Sequence, residues 1–345
     1  MKGLVLVNMG TPDAPNPAAV RRFLRELLSD PMVVDLPALP RRLLLELVIL
    51  PFRPRKSAKA YCRIWSDRGS PLLVHGEGLA AGVAAALGKN WQVELAMRYG
   101  RPSIASALER LANARVNEAR VLPLYPQDAP STRGSTVTAV RAAAELLDIT
   151  FPVRFLPVFF DRKGYLDAVV ATAGPVVEQV AADHVLFSFH GLPERQIKKA
   201  DPSGSHCLVA KECCKESVPA NKKCYRFQCY QTARALASRM GLGPEDGRRW
   251  SVAFQSRMGR VPWIGPHTDE VLSSLARKGV ERVGVVCPSF VADCLETLEE
   301  IGMRARLDFK ARGGGELVLV PCLNSSPTWV EAVAKMALNE EDSWQ

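Results

Sequence analysis

Short runs of valine, leucine, isoleucine and phenylalanine alternate along the chain with longer stretches whose apolar residues recur every three or four positions. The short runs fill residues 3–8, 92–98, 120–124, 153–159, 184–189, 251–255, 282–287 and 316–320. Continuous apolar runs of this length predict strands buried on both faces, and the amphipathic stretches between them predict helices that cover parallel sheets. The fold class read from this pattern is α/β. The eight runs divide into two sets of four, with the division near residues 159–161, where a strand ends and a long helix begins. A length of 345 residues agrees with two domains, since single cores tend to split beyond ~250–300 residues. Asn16 before Pro17 predicts a helix start, a cap residue followed by proline in the first turn. No internal sequence repeat is visible.

Chemistry concentrates where the strand runs end. Residues 185–193 read VLFSFHGLP, so His190 stands at the carboxyl end of a buried strand, just before the breaks at Gly191 and Pro193. Open α/β sheets bind ligands at such edges, although a strand-end histidine can also be a satisfied structural residue. Residues 287–302, CPSFVADCLETLEEIG, repeat the arrangement, with Asp293 as the expected helix cap and Glu296 three residues later in a possible capping box. Glu296 and Glu300 are four apart and share a helix face, where two carboxylates suit the movement of cations or protons. Phe290 and Trp263 offer aromatic faces near strand ends, and Arg98 and Tyr99 also follow a strand. The hydroxyl-rich loop 131–136 precedes a helix and would either hold an anion or cap that helix. Neither GxGxxG nor GxxxxGK[ST] occurs, so nucleotide binding has no motif behind it.

The net charge of +9 comes from 45 basic residues spread among 36 acidic ones, which reads as a solvated basic surface and not as a nucleic-acid stripe. Residues 41–56 are the local exception, an apolar decamer bracketed by arginine and lysine. Such a segment either rests on anionic headgroups or is a buried helix with charged ends. The amino-terminal apolar run stops at Asn8 with no small-residue cleavage site, and no uncharged stretch approaches ~18 residues. The expectation is a cytoplasmic protein whose membrane contact is peripheral. In that compartment nine cysteines are not expected to form structural disulfides. Cys62, Cys287, Cys294 and Cys322 stand in apolar or helical contexts and read as small core hydrophobes. Cys207, Cys213, Cys214, Cys224 and Cys229 crowd together, four of them in the irregular segment 201–225, which has no core of its own and for which a metal is the candidate closure.

Several segments in order, LVNMGTP, RRFLRELLSDPMVVDLP, LPFRPRKSAKAY, LPLYPQ, SFHGLP, FQSRMGRVPWIGPHTDE and PSFVADCLETLEEIG, together resemble the ferrochelatases, the enzymes that insert ferrous iron into protoporphyrin IX at the last step of protohaem synthesis. The resemblance covers nearly the whole chain. It implies a chelatase-like fold of two Rossmann-like domains, each with a four-stranded parallel sheet: residues 1–160 joined by a carboxyl-terminal helix 327–345, and residues 161–326 with the insertion 201–225. It makes His190 the central histidine, Glu296 its acidic partner across the macrocycle, both in reach of the substrate Fe²⁺, and Glu300 the continuation of the acidic line. Met9, Arg98, Tyr99, Gln255, Trp263 and Phe290 fall where the family lines its porphyrin cleft, and residues 39–52 where it forms an apolar lip. The implied partners are protoporphyrin IX, Fe²⁺ and, in passing, a membrane surface or the preceding haem-pathway enzyme, with no nucleic acid. Cys294 stands where other members carry histidine. The interposed Cys207-x5-Cys213-Cys214-x9-Cys224 matches members that bind a [2Fe-2S] cluster, with Cys₄ zinc as the structural alternative and Cys229 outside the ligand set.

The reaction explains the residue types. A free porphyrin carries two pyrrole N–H protons in a nearly flat ring, so metal enters only if the ring bends and both protons leave. An imidazole suits proton acceptance near neutral pH, carboxylates offer hard oxygen ligands to Fe²⁺ or relay protons, and apolar walls hold a distorted macrocycle. Whether His190 is base or transient iron ligand stays open at this level. A non-catalytic haem or iron-sulfur carrier, and a chelatase for another metal or tetrapyrrole, are the competing readings. The long apolar lip favours protoporphyrin, whose rim is largely methyl and vinyl.

Overall fold

The computed structural model describes residues 1–243, 250–259 and 261–339. Its strands form two four-stranded parallel sheets. The first has the order β2-β1-β3-β4, built from β1 (Lys2–Thr11), β2 (Trp91–Gly100), β3 (Glu118–Pro123) and β4 (Val153–Phe155). The second has the order β6-β5-β7-β8, from β5 (His184–His190), β6 (Trp250–Gln255), β7 (Arg282–Val286) and β8 (Glu316–Leu319). Every expected strand run is a strand. β1 continues past its apolar run because it stays paired with β2 as far as Thr11↔Gly100. β4 is shorter than its run: the ladder with β3 ends at Val121↔Phe155, and Pro157 has no N–H to extend it. Leu4, Val5, Leu6 and Val7 in one sheet, and Leu186, Phe187 and Phe189 in the other, have no solvent exposure, as strands covered on both faces require.

The chain forms two compact units, residues 1–125, 129–157 and 324–345 in one, and residues 126–128 and 158–323 in the other. In the first unit the helix Pro327–Leu338 packs on the helix Pro71–Leu87, where a Cβ on Gly82 would come within 2.8 Å of Val330. The expected helix 327–345 thus ends at Leu338, and residues 340–345 of that expectation lie outside the described residues. Asn16 caps as expected, its Oδ1 accepting the Ala19 N–H at 2.9 Å with Pro17 opening the helix Pro17–Ser29.

The segment bracketed by cations is helical from Ala38 to Ile64, with a π-helical stretch at Leu44–Ile49. Pro51 has no N–H to continue an α ladder, and the Leu50 N–H bonds five residues back to the Leu45 carbonyl. Leu45, Leu50 and Pro54 are buried, while Leu39 (67 % exposed), Leu43, Leu47, Val48 and Phe52 (75 %) face solvent. A buried helix with charged ends is therefore excluded. Among the described residues no helix is long and apolar enough to cross a membrane. Cys62 corrects a second expectation: it is exposed, with Sγ 3.1 Å from the Pro15 carbonyl, whereas Cys287, Cys294 and Cys322 are buried.

Candidate active site

His190 closes β5 opposite Gln255 of β6, and the Gly191 N–H continues the ladder to the Gln255 carbonyl at 2.8 Å. A Cβ on Gly191 would lie 2.8 Å from that carbonyl oxygen and 3.2 Å from the Trp263 ring, so the turn admits only glycine without displacement. His190 Nδ1 is 2.6 Å from the Gly191 carbonyl oxygen. A carbonyl only accepts, so Nδ1 carries the proton and the neutral ring presents its lone pair at Nε2. Among the described residues Nε2 has no hydrogen-bond partner, which sets His190 apart from a satisfied structural histidine. Its ring stands between Trp263 and Phe290, with centroids 6.5 and 6.1 Å away. The backbone is held from both sides: the His190 N–H donates to Ser289 Oγ at 3.0 Å, and the Tyr225 hydroxyl donates to the His190 carbonyl at 2.8 Å.

The helix that carries the acids, Leu295–Ala305, is a π-helix, a form that recurs at functional sites. Its cap is Cys294 and not Asp293: the Cys294 thiol accepts from the Thr297 N–H, and Thr297 Oγ1 accepts the Cys294 N–H at 3.0 Å. Asp293 instead accepts from the Thr297 hydroxyl at 3.0 Å and from the Cys322 N–H. The expected capping box with Glu296 is thereby overturned, because a threonine already occupies the reciprocal position. The Glu296 carboxylate meets the Cys294 thiol, whose ionisation is pushed up by burial and then by Glu296. Gln255 is buried, its amide donating to the Glu296 carbonyl at 2.7 Å while its Oε1 accepts from Ser188 at 2.7 Å.

Glu300 is gripped by one residue, Ser256, through the N–H at 2.8 Å and Oγ at 2.6 Å. Ser256 has a left-handed backbone, φ +66°, which costs a non-glycine residue of order 1 kcal/mol and marks a constrained site. Burial pushes the Glu300 carboxyl above its ordinary range, the Ser256 hydrogen bonds oppose this, and the neighbouring Glu296 adds to it. A cavity of about 280 Å³ lined by Ser256, Glu300, Arg304 and Asp308 opens on this side of the helix. Glu299 is more buried than either neighbour and pairs with Arg304 at 3.2 Å, a structural tie. Sequence reading missed Ser256, Ser289 and Tyr225; a serine in left-handed backbone and a tyrosine reaching a distant carbonyl leave no local pattern.

In the first unit Gly10 (φ +114°) lets β1 and β2 close, since a Cβ there would lie 1.8 Å from the Tyr99 carbonyl oxygen. Arg98 and Tyr99 then meet Asp30: its Oδ2 accepts from Arg98 Nη2 at 2.6 Å, from the Tyr99 hydroxyl at 2.8 Å and from Ser135 Oγ. The Arg98 guanidinium lies 4.3 Å over the Tyr99 ring. Burial alone would raise the Asp30 carboxyl, but donation from Ser135, the Met32 N–H and Tyr99, with the Arg98 charge, holds it below its usual range. Ser135, the start of the helix Ser135–Leu146, serves this network. Met9 is half-buried on β1.

Residues 201–224 contain turns and no helix or strand, and the helix Tyr225–Arg239 follows directly. Cys207, Cys213, Cys214 and Cys224 are all buried. Their thiols form a chain of contacts, Cys207 to Cys224, Cys224 to Cys214, and Cys214 to Cys213 at 3.9 Å. The Leu208 N–H points at Cys213 Sγ (3.4 Å) and Arg226 Nη1 at Cys214 Sγ (3.1 Å). Among the described residues no three His, Cys, Asp or Glu side chains are arranged to hold a metal ion as they stand. The donor set nevertheless fits a thiolate-bound group: four buried sulfurs linked in sequence, with the Leu208 N–H and the Arg226 guanidinium directed at Cys213 and Cys214, while Cys207 Sγ lies 3.8 Å from the Ala220 carbonyl. Cys229 is fully buried in the helix and bonded to Tyr225, apart from this chain of contacts.

Two four-stranded parallel sheets flanked by helices give a fold found in chelatases of known structure. The fold is shared with SirB from Bacillus subtilis with Fe³⁺, at a TM-score of 0.56 and 12 % identity over 100 % of this chain and 98 % of that one. It is shared likewise with the sirohydrochlorin chelatase SirB of Bacillus subtilis subspecies spizizenii in complex with cobalt, at 0.55 and 12 % over 99 % and 98 %. The ferrochelatase family profile matches residues 1–341. The chain is similar to the ferrochelatases of Azotobacter vinelandii (51 % identity, 96 % of this chain and 97 % of the relative), Pseudomonas fluorescens (50 %, 96 % and 95 %) and Coxiella burnetii (45 %, 97 % and 92 %). The chain belongs to the ferrochelatase family.

Proposed function

We propose that the second unit carries the chemistry of the ferrochelatase reaction, insertion of Fe²⁺ into protoporphyrin IX with release of two protons to give protohaem. The observation that carries this reading is the fixed tautomer of His190: with Nδ1–H tied to the Gly191 carbonyl, Nε2 is free to accept a pyrrole proton between two aromatic walls. Trp263 and Phe290 supply apolar surface for the macrocycle. Glu296 offers oxygen to the incoming Fe²⁺. Glu300, raised by burial and beside a polar cavity, passes protons onward. Gln255 positions Glu296 through its carbonyl; Met9, Arg98 and Tyr99, which the family resemblance also assigns to porphyrin binding, lie on strands of the first unit, where Arg98 and the buried Tyr99 are tied to Asp30.

Cys207, Cys213, Cys214 and Cys224 hold one [2Fe-2S] cluster. When bound, it supplies the metal-thiolate bonds that order a loop with few apolar side chains of its own, where backbone ordering costs roughly 1–2 kcal/mol per residue. The exposed row Leu39, Leu43, Leu47 and Phe52, flanked by Arg42, Arg53 and Lys56, supports peripheral docking on anionic lipid or passing contact with the preceding enzyme. The test of the central reading is anaerobic turnover of Fe²⁺ and protoporphyrin by wild type and His190→Ala. Wild type forms haem, and the variant, with unchanged circular dichroism, loses at least ~10²-fold in kcat. Near wild-type turnover by His190→Ala sinks the assignment.

A further inference from the structure

Arg226, two residues after Cys224, reaches two separate structures. Its Nη1 donates to Cys214 Sγ at 3.1 Å and lies 3.9 Å from Cys213 Sγ. Its Nη2 and Nε donate to the Gly265 carbonyl at 3.2 and 3.4 Å, and its guanidinium lies 4.9 Å over the Tyr230 ring. Gly265 ends the segment that bears Trp263. That segment is clasped to the turn after His190 by two backbone bonds, Ile264 N–H to the Leu192 carbonyl and Glu194 N–H to the Pro262 carbonyl, both 3.0 Å. One guanidinium therefore spans from a pair of sulfurs to the loop of an aromatic wall.

Two features make the bridge specific. A planar fork can address two acceptors in fixed directions, which a lysine ammonium on a flexible stem does not reproduce. Moreover, Arg226 is half-buried and has no carboxylate partner among the described residues, so the sulfurs are the site of compensating negative charge once they are thiolates bound to metal. We propose that Arg226 is a positioning residue that couples the metal-thiolate state of Cys213 and Cys214 to the placement of Trp263, and through it to porphyrin affinity. This rests on the cluster reading above. Removing the bridge takes one tie from the end of the Trp263 loop, and an N–H donor and a positive charge from the sulfurs, so both porphyrin binding and the cluster's potential respond.

The experiment uses anaerobically purified holoenzyme, wild type, Arg226→Gln and Arg226→Lys. The readouts are visible absorbance, iron and zinc content, reduction potential by dye-mediated titration, and kcat and KM for protoporphyrin. Arg226→Gln is expected to keep its iron and colour, to shift the potential to more negative values, and to raise KM roughly tenfold with kcat within about twofold, the low end for loss of an outer-shell partner. Arg226→Lys, which keeps the charge without the fork, should recover the potential but not KM. A coloured Arg226→Gln protein with unchanged potential and KM overturns the coupling and leaves the cluster standing. A colourless wild type with one zinc per chain overturns the cluster alone, and the KM of Arg226→Gln then decides the coupling. A wild type with neither metal overturns both. Should Arg226→Gln not fold, Arg226→Lys decides: an unrestored KM supports the bridge, and a wild-type KM overturns it.

Discussion

β1 and β5 hold the same place in their sheets, second in the orders β2-β1-β3-β4 and β6-β5-β7-β8, but their surroundings at the carboxyl edge differ in kind. In the first unit Asp30 gathers three donors on one oxygen and its carboxyl is held low. In the second, His190 keeps a ring nitrogen without a partner and Glu300 is held high by burial. The linkage signs are opposite. A lowered carboxyl contributes stability above its ordinary value of 3.8 and loses it as pH falls through the folded value. A raised one contributes below its ordinary value of 4.5 and loses that as pH rises through the folded value. A shared topology thus supplies two equivalent edges, and local partners decide whether a carboxyl there is held low or high.

The comparison breaks first at Glu296. Glu296→Gln should lower kcat by ~10²-fold or more with little change in thermal stability, because the helix cap belongs to Cys294 and Thr297. A loss of stability of ~1 kcal/mol with intact turnover would return Glu296 to the role of a cap. Next is Asp30→Ala, which takes the carboxylate partner from Arg98 and should cost about 3 kcal/mol in urea unfolding at pH 7, with wild type and variant converging in acid. A smaller effect is expected on the outer surface of the first unit. Leu47→Ser with Phe52→Ser should weaken flotation with anionic liposomes and raise KM for porphyrin severalfold, with an unchanged melting curve. The smallest is Glu300→Gln, expected to leave Tm at pH 7 unchanged or a few °C higher, and to match wild type near pH 4. A clear loss at pH 7 would place Glu300 with Asp30 among the stabilising groups.

Both sheets were legible because strands covered on two faces leave unbroken apolar runs, and all eight runs are strands. The strand-end positions of His190, Phe290 and Trp263 followed from the breaks after those runs. What escaped was contact over long separations. Ser256 lies 44 residues from Glu300 and Asp30 lies 68 from Arg98, distances over which periodicity carries no information. Local rules also misled where two candidates competed. The spacing of Asp293 and Glu296 pointed to those two for the capping box, but a cysteine capped and a threonine reciprocated, since sulfur accepts a backbone N–H and the Thr297 hydroxyl accepts the Cys294 N–H. The π-helical turns at Leu44–Ile49 and Leu295–Ala305 were invisible because one extra residue in a turn does not disturb an amphipathic pattern enough to register.

The Asp30 network has a consequence for how this chain can diverge. Arg98, Tyr99 and Ser135 all donate to one buried oxygen, so replacing Asp30 alone takes the shared acceptor from three donors at once, and replacing any one of the donors leaves the Asp30 charge to the other two. Each single step costs on the order of 1–3 kcal/mol, a large part of the ~5–15 kcal/mol by which folded domains persist. Tolerated paths away from this arrangement therefore pass through paired exchanges. Among descendants of this sequence, positions 30, 98, 99 and 135 should drift together or not at all, while exposed Leu146 and Leu307 change independently.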